Sequence, residues 1–325
     1  MQLTGAKLLH HFPKLSHLIH AVFPHFITID DLSSMNRGSK MVWDYKNWRF
    51  QSWFVPAKSK TTKRLVIAFH GFDRNCEEME NFNPFFSDDT AILSINLLHH
   101  GESKPRQPLS LDHALSPHTL LHAIEGFIAN NFSEGIASYM SLELLGYSMG
   151  SRIALTLLQY YPNKFERLIV LAPDGLKKSL LYKFVVHTRV GKVCWRLIDR
   201  FPRTNRRIIY GLYRAGIISG HKYHFGRFHT ENSEIRQRVA YGWAGHKKFW
   251  PEENKLVSLL KKHDKIEAHF VFGDRDKIIP FKWSASLRSK LEGIENVSFH
   301  LIESGHVMRH GDTVEAIRKL IPLAS

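Results

Sequence analysis

Short apolar runs recur along the chain and alternate with longer amphipathic stretches. The apolar-rich runs RLVIAFHG, TAILSINLL, YMSLELLGYS, RLIVLAP, AHFVFG and VSFHLIE are six to ten residues long. Periodicity alone does not separate a buried strand from a helix at that length, but the shortness and the closing Gly71 of the first favour strands. Between them HTLLHAIEGFIANNF, MGSRIALTLLQYYP and GDTVEAIRKLIPLA carry helical spacing. Ahead of the first run, KMVWDYKNWRFQSWFVP is rich in aromatic and β-branched residues, with a turn near Lys46 and Asn47, and predicts a β-hairpin. Strands that alternate with helices imply a parallel sheet, and continuous apolar runs imply a sheet covered on both faces.

The fold class read from this pattern is α/β: a mostly parallel central sheet flanked by helices. The alternation stops between about residues 175 and 250 and resumes at Ala268. We read that stretch as an inserted, mainly helical cap. The organisation is then an N-terminal amphipathic segment (1–40), a first core part (41–174), the cap (175–250) and a second core part (251–325). In the N-terminal segment Leu8, Phe12, Leu15, Ile19, Val22 and Phe26 recur at spacings of three and four, one face of a helix, with Pro13 as an early break. Such a helix packs on the domain or lies on a membrane surface.

Charge sharpens the picture of the cap. The chain of 325 residues has a formal net charge of +15. Residues 175–250 hold 17 Lys and Arg against 3 acidic residues, Asp199, Glu231 and Glu234, while the remainder holds 28 against 27. Within the cap, Val190, Val193, Cys194, Leu197, Ile198 and Phe201 fall on one helical face, and Lys192, Arg196, Arg200 and Arg203 fall largely on the other. Aromatic residues from Tyr210 to Trp243 interleave with the charge. A solvated cationic face and an attraction to an anionic membrane surface or anionic substrate are both consistent with this. No recognised nucleic-acid motif accompanies the charge, so a nucleic-acid partner is not expected. No run reaches the length needed to span a bilayer, and the N-terminus lacks a secretory h-region. Cys76 and Cys194 are isolated, form no CxxC, and read as structural thiols of a reducing compartment, so a cytoplasmic location, with peripheral membrane contact, is expected.

The chemistry concentrates in four places. Gly146-Tyr147-Ser148-Met149-Gly150 is a G-x-S-x-G between a strand-like and a helix-like segment, the setting of a nucleophile elbow. Ser148 is the candidate nucleophile. A serine hydroxyl needs a base to take its proton, and His306, in Ser304-Gly305-His306 after the last strand, stands where a loop can return over the sheet edge. The base needs an acid, and Asp276, in GDRDKIIP after the preceding strand, is the first choice; Asp174 and Asp274 are alternatives. The order Ser, Asp, His agrees with that expected of the elbow. Oxyanion donors are expected from the backbone N–H of Met149 and of Phe72, in His70-Gly71-Phe72.

With HGF at 70–72, GYSMG at 146–150, GDRDKIIP at 273–280 and SGH at 304–306, the chain resembles the α/β-hydrolase superfamily. A further D-x-x-G-H-G-x-S pattern of that family survives in part as Asn96-Leu97-Leu98-His99-His100-Gly101-Glu102-Ser103, with Asn96 in place of the aspartate and His99 in place of the first glycine. The resemblance implies an esterase, lipase, thioesterase or carbon–carbon hydrolase that needs no metal or organic cofactor. The expectation is a serine hydrolase acting on a carboxylic ester of an acyl or lipid substrate. Thioester, amide or carbon–carbon hydrolysis on the same residues is the alternative within enzymes. A catalytically silent fold used to bind membrane or protein is the alternative outside them.

Overall fold

The computed structural model describes residues 38–59, 62–131, 141–178, 180–230 and 232–322. The amphipathic face expected near the N-terminus lies outside the described residues. The hairpin is formed by β1 (Ser39–Tyr45) and β2 (Trp48–Val55), antiparallel, with Tyr45 opposite Trp48. Only Lys46 and Asn47 are left for the turn, and Lys46 takes a φ of 53°. The apolar runs become β3 (Arg64–Phe69), β4 (Thr90–Ile95), β6 (Ser141–Tyr147), β7 (Arg167–Leu171), β8 (Glu267–Gly273) and β9 (Val297–Ile302). A two-residue β5 (Lys104–Pro105), not foreseen from sequence, pairs with β2.

The strands form one sheet in the order β1-β2-β4-β3-β6-β7-β8-β9, parallel from β4 to β9. β3 has β4 on one side and β6 on the other, so the direction of winding reverses at its carboxyl end. In open α/β sheets ligands bind in the crevice that such a reversal opens.

Alternate strand residues feed two cores, as the two-residue period of a strand requires. Leu65, Ile67, Phe69, Leu168 and Val170 point to one face, with the helices α1 (Pro117–Asn131) and α2 (Met149–Tyr160). Val66, Ala68, Ile169 and Leu171 point to the other, where a 3₁₀ segment (Cys76–Phe85) supplies Met79, Phe82 and Phe85. Between β7 and β8 the chain makes α3 (Leu180–His187), α4 (Arg189–Arg200), α5 (Pro202–Arg214), α6 (Gly220–Thr230), α7 (Ser233–Gln237), a π-helical turn (Arg238–Gly242) and α8 (Trp243–Gly245). These helices have their own apolar cluster around Tyr182, Val185, Val186, Trp195, Val239 and Ala244, against which Phe72 packs. The helices α9 (Glu253–Lys262), α10 (Ala285–Lys290) and α11 (Gly311–Leu320) complete the layers, α9 on the α2 face and α11 on the other.

At the amino ends of the strands Glu143 is buried with its carboxylate 3.5 Å from Arg64 and 3.9 Å from Arg167, which also lies 3.3 Å from Glu267. Burial pushes the Glu143 carboxyl up, against the pull of the two guanidinium groups. The arrangement contributes little net attraction once desolvation is counted, but half of it is worse than all of it. Glu143→Ala leaves the buried Arg167 with only the half-exposed Glu267 as counter-charge, and urea denaturation should show a loss of about 1–3 kcal/mol.

Candidate active site

β6 ends at Tyr147 and α2 begins at Met149, which leaves Ser148 alone to make the turn. Its backbone is held at φ 49° and ψ −118°, a conformation that costs a non-glycine residue on the order of 1–3 kcal/mol. Neighbouring backbone over-determines it. The Ser148 N–H donates to the Leu171 carbonyl (2.8 Å), and the Ser148 carbonyl accepts from Ser151 (2.9 Å) and Asp174 (3.2 Å). The flanking glycines leave no alternative. A Cβ at Gly146 would lie 2.5 Å from the Ser151 Cα, and one at Gly150 would lie 2.0 Å from the Phe69 carbonyl oxygen. Backbone, not a flexible side chain, occupies both places.

The base and acid arrive from the ends of β9 and β8. Ser148 Oγ is 2.9 Å from His306 Nε2, and His306 Nδ1 is 2.8 Å from Asp276 Oδ2. The Asp276 side chain is fully buried. Its other oxygen accepts the N–H groups of Ile278 (2.8 Å) and Ile279 (2.9 Å), so the carboxylate cannot rotate away from the imidazole without losing both. The two loops are tied together: Arg275 N–H donates to the Ser304 carbonyl (3.0 Å), and a Cβ at Gly273 would lie 2.4 Å from that same oxygen. Tyr147 donates its hydroxyl to the His306 carbonyl (2.7 Å) and stacks on the ring, a support the motif reading missed.

The other two aspartates are engaged elsewhere. Asp274 accepts the Ser304 N–H (3.0 Å) and lies 3.4 Å from Arg275, a turn residue between the loops. Asp174 accepts the Gly175 N–H (2.8 Å) and faces Arg152 at 3.6 Å. Burial pushes the Asp174 carboxyl up while that guanidinium draws it down. Arg152 itself is buried, with Tyr182 and Trp250 against its guanidinium at 5.1 and 5.2 Å.

Met149 stands at the first position of α2, where no preceding turn exists to take its N–H. The loop carrying Phe72 runs directly over the elbow, since a Cβ at Gly71 would come 3.2 Å from the Ser148 Cβ. Three buried histidines shape that loop and its neighbour. His70 Nε2 accepts the Leu97 N–H (3.0 Å), His100 Nε2 accepts the Asp73 N–H (3.0 Å) and His246 Nε2 accepts the Leu98 N–H (3.4 Å). Each Nδ1 donates to a carbonyl, of Gly71 (2.7 Å), Leu98 (3.1 Å) and Gly242 (2.8 Å) respectively. All three must be neutral to serve in both roles. Burial holds them so, taking His100 down to about 4 and His246 to about 3. His70 and His100 fall in motifs quoted above and His246 in none, but nothing in the sequence gives any of the three this role; only their tertiary partners do.

The altered motif after β4 also has a structural account. His99 stands where the resembling family has glycine and takes a φ of 66°, while its ring lies against Tyr241 of the π-helical turn, centroids 5.6 Å apart. Asn96, in the aspartate's place, accepts the Cys76 N–H (2.7 Å). Cys76 is fully buried, and burial with Glu77 beside it pushes the thiol up to about 12, out of the range of thiolate chemistry.

No family model matches the chain. A Drosophila melanogaster protein named "Probable serine hydrolase" is 26% identical over 116 residues, which are 33% of this chain and 30% of that protein. Among solved structures, an α/β hydrolase from a Medee basin deep-sea metagenome library superposes with a TM-score of 0.58 at 14% identity, over 86% of this chain and 95% of that one. The thioesterase domain from the curacin biosynthetic pathway gives 0.55 at 15%, over 88% and 99%. A thermophilic esterase from Thermogutta terrifontis gives 0.53 at 16%, over 88% and 98%. At these identities the likeness shows the fold alone, an α/β-hydrolase fold.

Two outcomes follow from this geometry. Gly150→Ala should lower the thermal unfolding midpoint by several degrees or abolish soluble folded protein, because the clash is with β3 backbone. The histidines set a pH dependence of stability. Their folded pKa values lie below the unfolded value, so between them the unfolded chain binds more protons. Stability is therefore fully present above about pH 6.5 and is lost as pH falls, by up to about 1.4 kcal/mol per unit for each histidine. For His100 the loss levels off below about 4. Urea denaturation from pH 7.5 down to 4.5 (each figure approximate) reads it, and His100→Gln should flatten the slope over that window.

Proposed function

We propose that this chain is a serine hydrolase that cleaves a carboxylic ester of an acyl or lipid substrate through an acyl-enzyme on Ser148. The observation that carries the proposal is the continuous hydrogen-bond relay from Ser148 Oγ through His306 to a fully buried Asp276. In this reading Ser148 Oγ attacks the acyl carbon as His306 Nε2 takes its proton. Asp276 keeps the Nδ1–H tautomer and offsets the imidazolium charge. The oxyanion is received by the N–H groups of Met149 and Phe72. Collapse breaks the acyl–oxygen bond, and the His306 Nε2 proton goes to the departing alcohol oxygen. A water then repeats the sequence, giving its proton to His306 and its oxygen to the acyl carbon, and Ser148 is released protonated. The apolar cluster of the insertion, which packs on Phe72 beside the elbow, supports a substrate with an apolar acyl or aromatic part.

A fluorophosphonate probe should label the folded protein at Ser148, read by mass spectrometry, and Ser148→Ala should prevent it. Asp276→Asn should retain the fold and lower turnover of an activated ester by about four orders of magnitude, the size of effect expected when the base loses its orienting carboxylate. Folded protein that resists the probe would assign the fold to binding instead. Faster turnover of thioesters or amides than of oxygen esters across a matched panel would move the substrate class.

A further inference from the structure

The amphipathic helix of the insertion is turned outward. In α4 the protein side takes Gly191 and Trp195, which are buried. The apolar stripe instead faces solvent: Val190 is 63% exposed, Val193 50%, Leu197 52% and, at the helix end, Phe201 51%. Spacings of three and four put these on one line of the helix. The helices before and after it expose apolar residues as well. In α3, Leu180 is 82% exposed, and α5 buries no residue at all while it presents Ile208, Tyr210 and Tyr213. Ile217, in the turn beyond, is also exposed. Isolated exposed apolar residues are ordinary, but four in line on one helix, with more on the helices before and after it, mark a surface with a partner.

The charge around this line states what the partner is. Arg189, Arg196 and Arg200 flank the stripe on α4, and Arg203, Arg206 and Arg207 follow on α5, all exposed. None of the arginines of α4 and α5 has a carboxylate partner among the described residues. The described acids of the insertion are already used: Asp199 holds Arg236 (2.8 Å) and Glu234 holds Arg238. A second copy of the chain would bring the same positive field to the face and be repelled. A nucleic acid would match the arginines and leave the apolar line wet. A bilayer with anionic headgroups meets both needs at once, because apolar side chains enter the acyl boundary where arginines reach phosphate and tyrosines sit at the interface.

We propose that the outer face of α3, α4 and α5 docks on an anionic lipid bilayer without crossing it. Among the described residues no helix is long and apolar enough to cross a membrane. The docking is independent of the chemistry at Ser148. It holds through two contributions: insertion of the Val190–Phe201 line, which is insensitive to salt, and headgroup attraction by the arginines, which salt screens.

The test is flotation of the full chain with phosphatidylcholine vesicles and with vesicles carrying about 30% phosphatidylglycerol, in about 0.1 M and about 0.5 M salt. Partition should be at least about tenfold stronger on the anionic vesicles and weaken at high salt. The pair Val193→Glu with Leu197→Glu, and separately Arg206→Glu with Arg207→Glu, should each lower it by about tenfold or more. All four positions are exposed, so the unfolding midpoint and fluorophosphonate labelling should stay those of the parent. Absence of binding to anionic vesicles, or binding that neither pair reduces, overturns the proposal. So does a concentration-dependent dimer in sedimentation that the Val193 and Leu197 changes dissolve, without vesicle binding, which would assign the face to a second copy. Tighter binding to duplex DNA that only the arginine changes remove would assign it to nucleic acid.

Discussion

The space on either side of Ser148 is already filled by backbone, and the rest of the site follows from that. With no room for a Cβ at Gly146 or Gly150, α2 can pack against β3 and β6 at the shortest distance the chain permits. The serine is then left as the one residue between strand and helix, in a conformation it would not choose alone. Local preference does not supply such a turn; neighbours must. Carbonyl and amide partners on β7 and on the segment after it supply it, so the hydroxyl is held in one direction before any substrate arrives. Groups that need no rearrangement at the moment of reaction are the ones that stabilise a transition state most. A second tight approach does the same for the acid and base, where Gly273 admits the backbone of Ser304 and locks two loops of different strands together.

Much of this was legible in the chain because it is locally encoded. The strands after β2, the two-residue β5 apart, are apolar runs of the right length, and the residues Ser148, His306 and Asp276 follow three of them, where position alone recommends them. The structure brings these three together and engages Asp174 with Arg152 and Asp274 with Ser304. That separation was not available from sequence, because all three aspartates follow strands and only the fold decides which carboxylate meets the imidazole. The 3₁₀ segment Cys76–Phe85 contains Pro84 and buries Cys76, Met79, Phe82 and Phe85 at a spacing of three, which an α-helical template does not match. Helix α9 falls between residue 250 and Ala268, a stretch for which no element was read from the sequence. The role of the histidines at 70, 100 and 246 was not legible for a different reason: it is to accept backbone N–H groups from loops distant in sequence. Periodicity also showed that α4 has two faces without showing which one the protein keeps.

Arginine serves opposite purposes at different places in one molecule. Arg152 and Arg167 are buried, and aromatic rings or carboxylates near them offset their desolvation. Those on α4 and α5 are left in water with no counter-charge among the described residues. The contrast explains why net charge was a guide to the insertion and a poor guide to the core. A buried guanidinium belongs to a local balance, whereas an exposed cluster acts as a field.

The sheet register carries one more implication, for how the chain is made. Leu171 pairs with Val271, and every residue of the insertion is threaded between them. Contacts of such long sequence separation form slowly, while the insertion helices pack mainly on one another and can form early. Ser148 is synthesised ahead of the insertion, and Asp276 and His306 only after it. A chain still emerging from the ribosome therefore carries the serine without its base. The hydroxyl has no imidazole beside it until β8 and β9 have joined the sheet, so the relay from Ser148 through His306 to Asp276 is among the last contacts the fold can make.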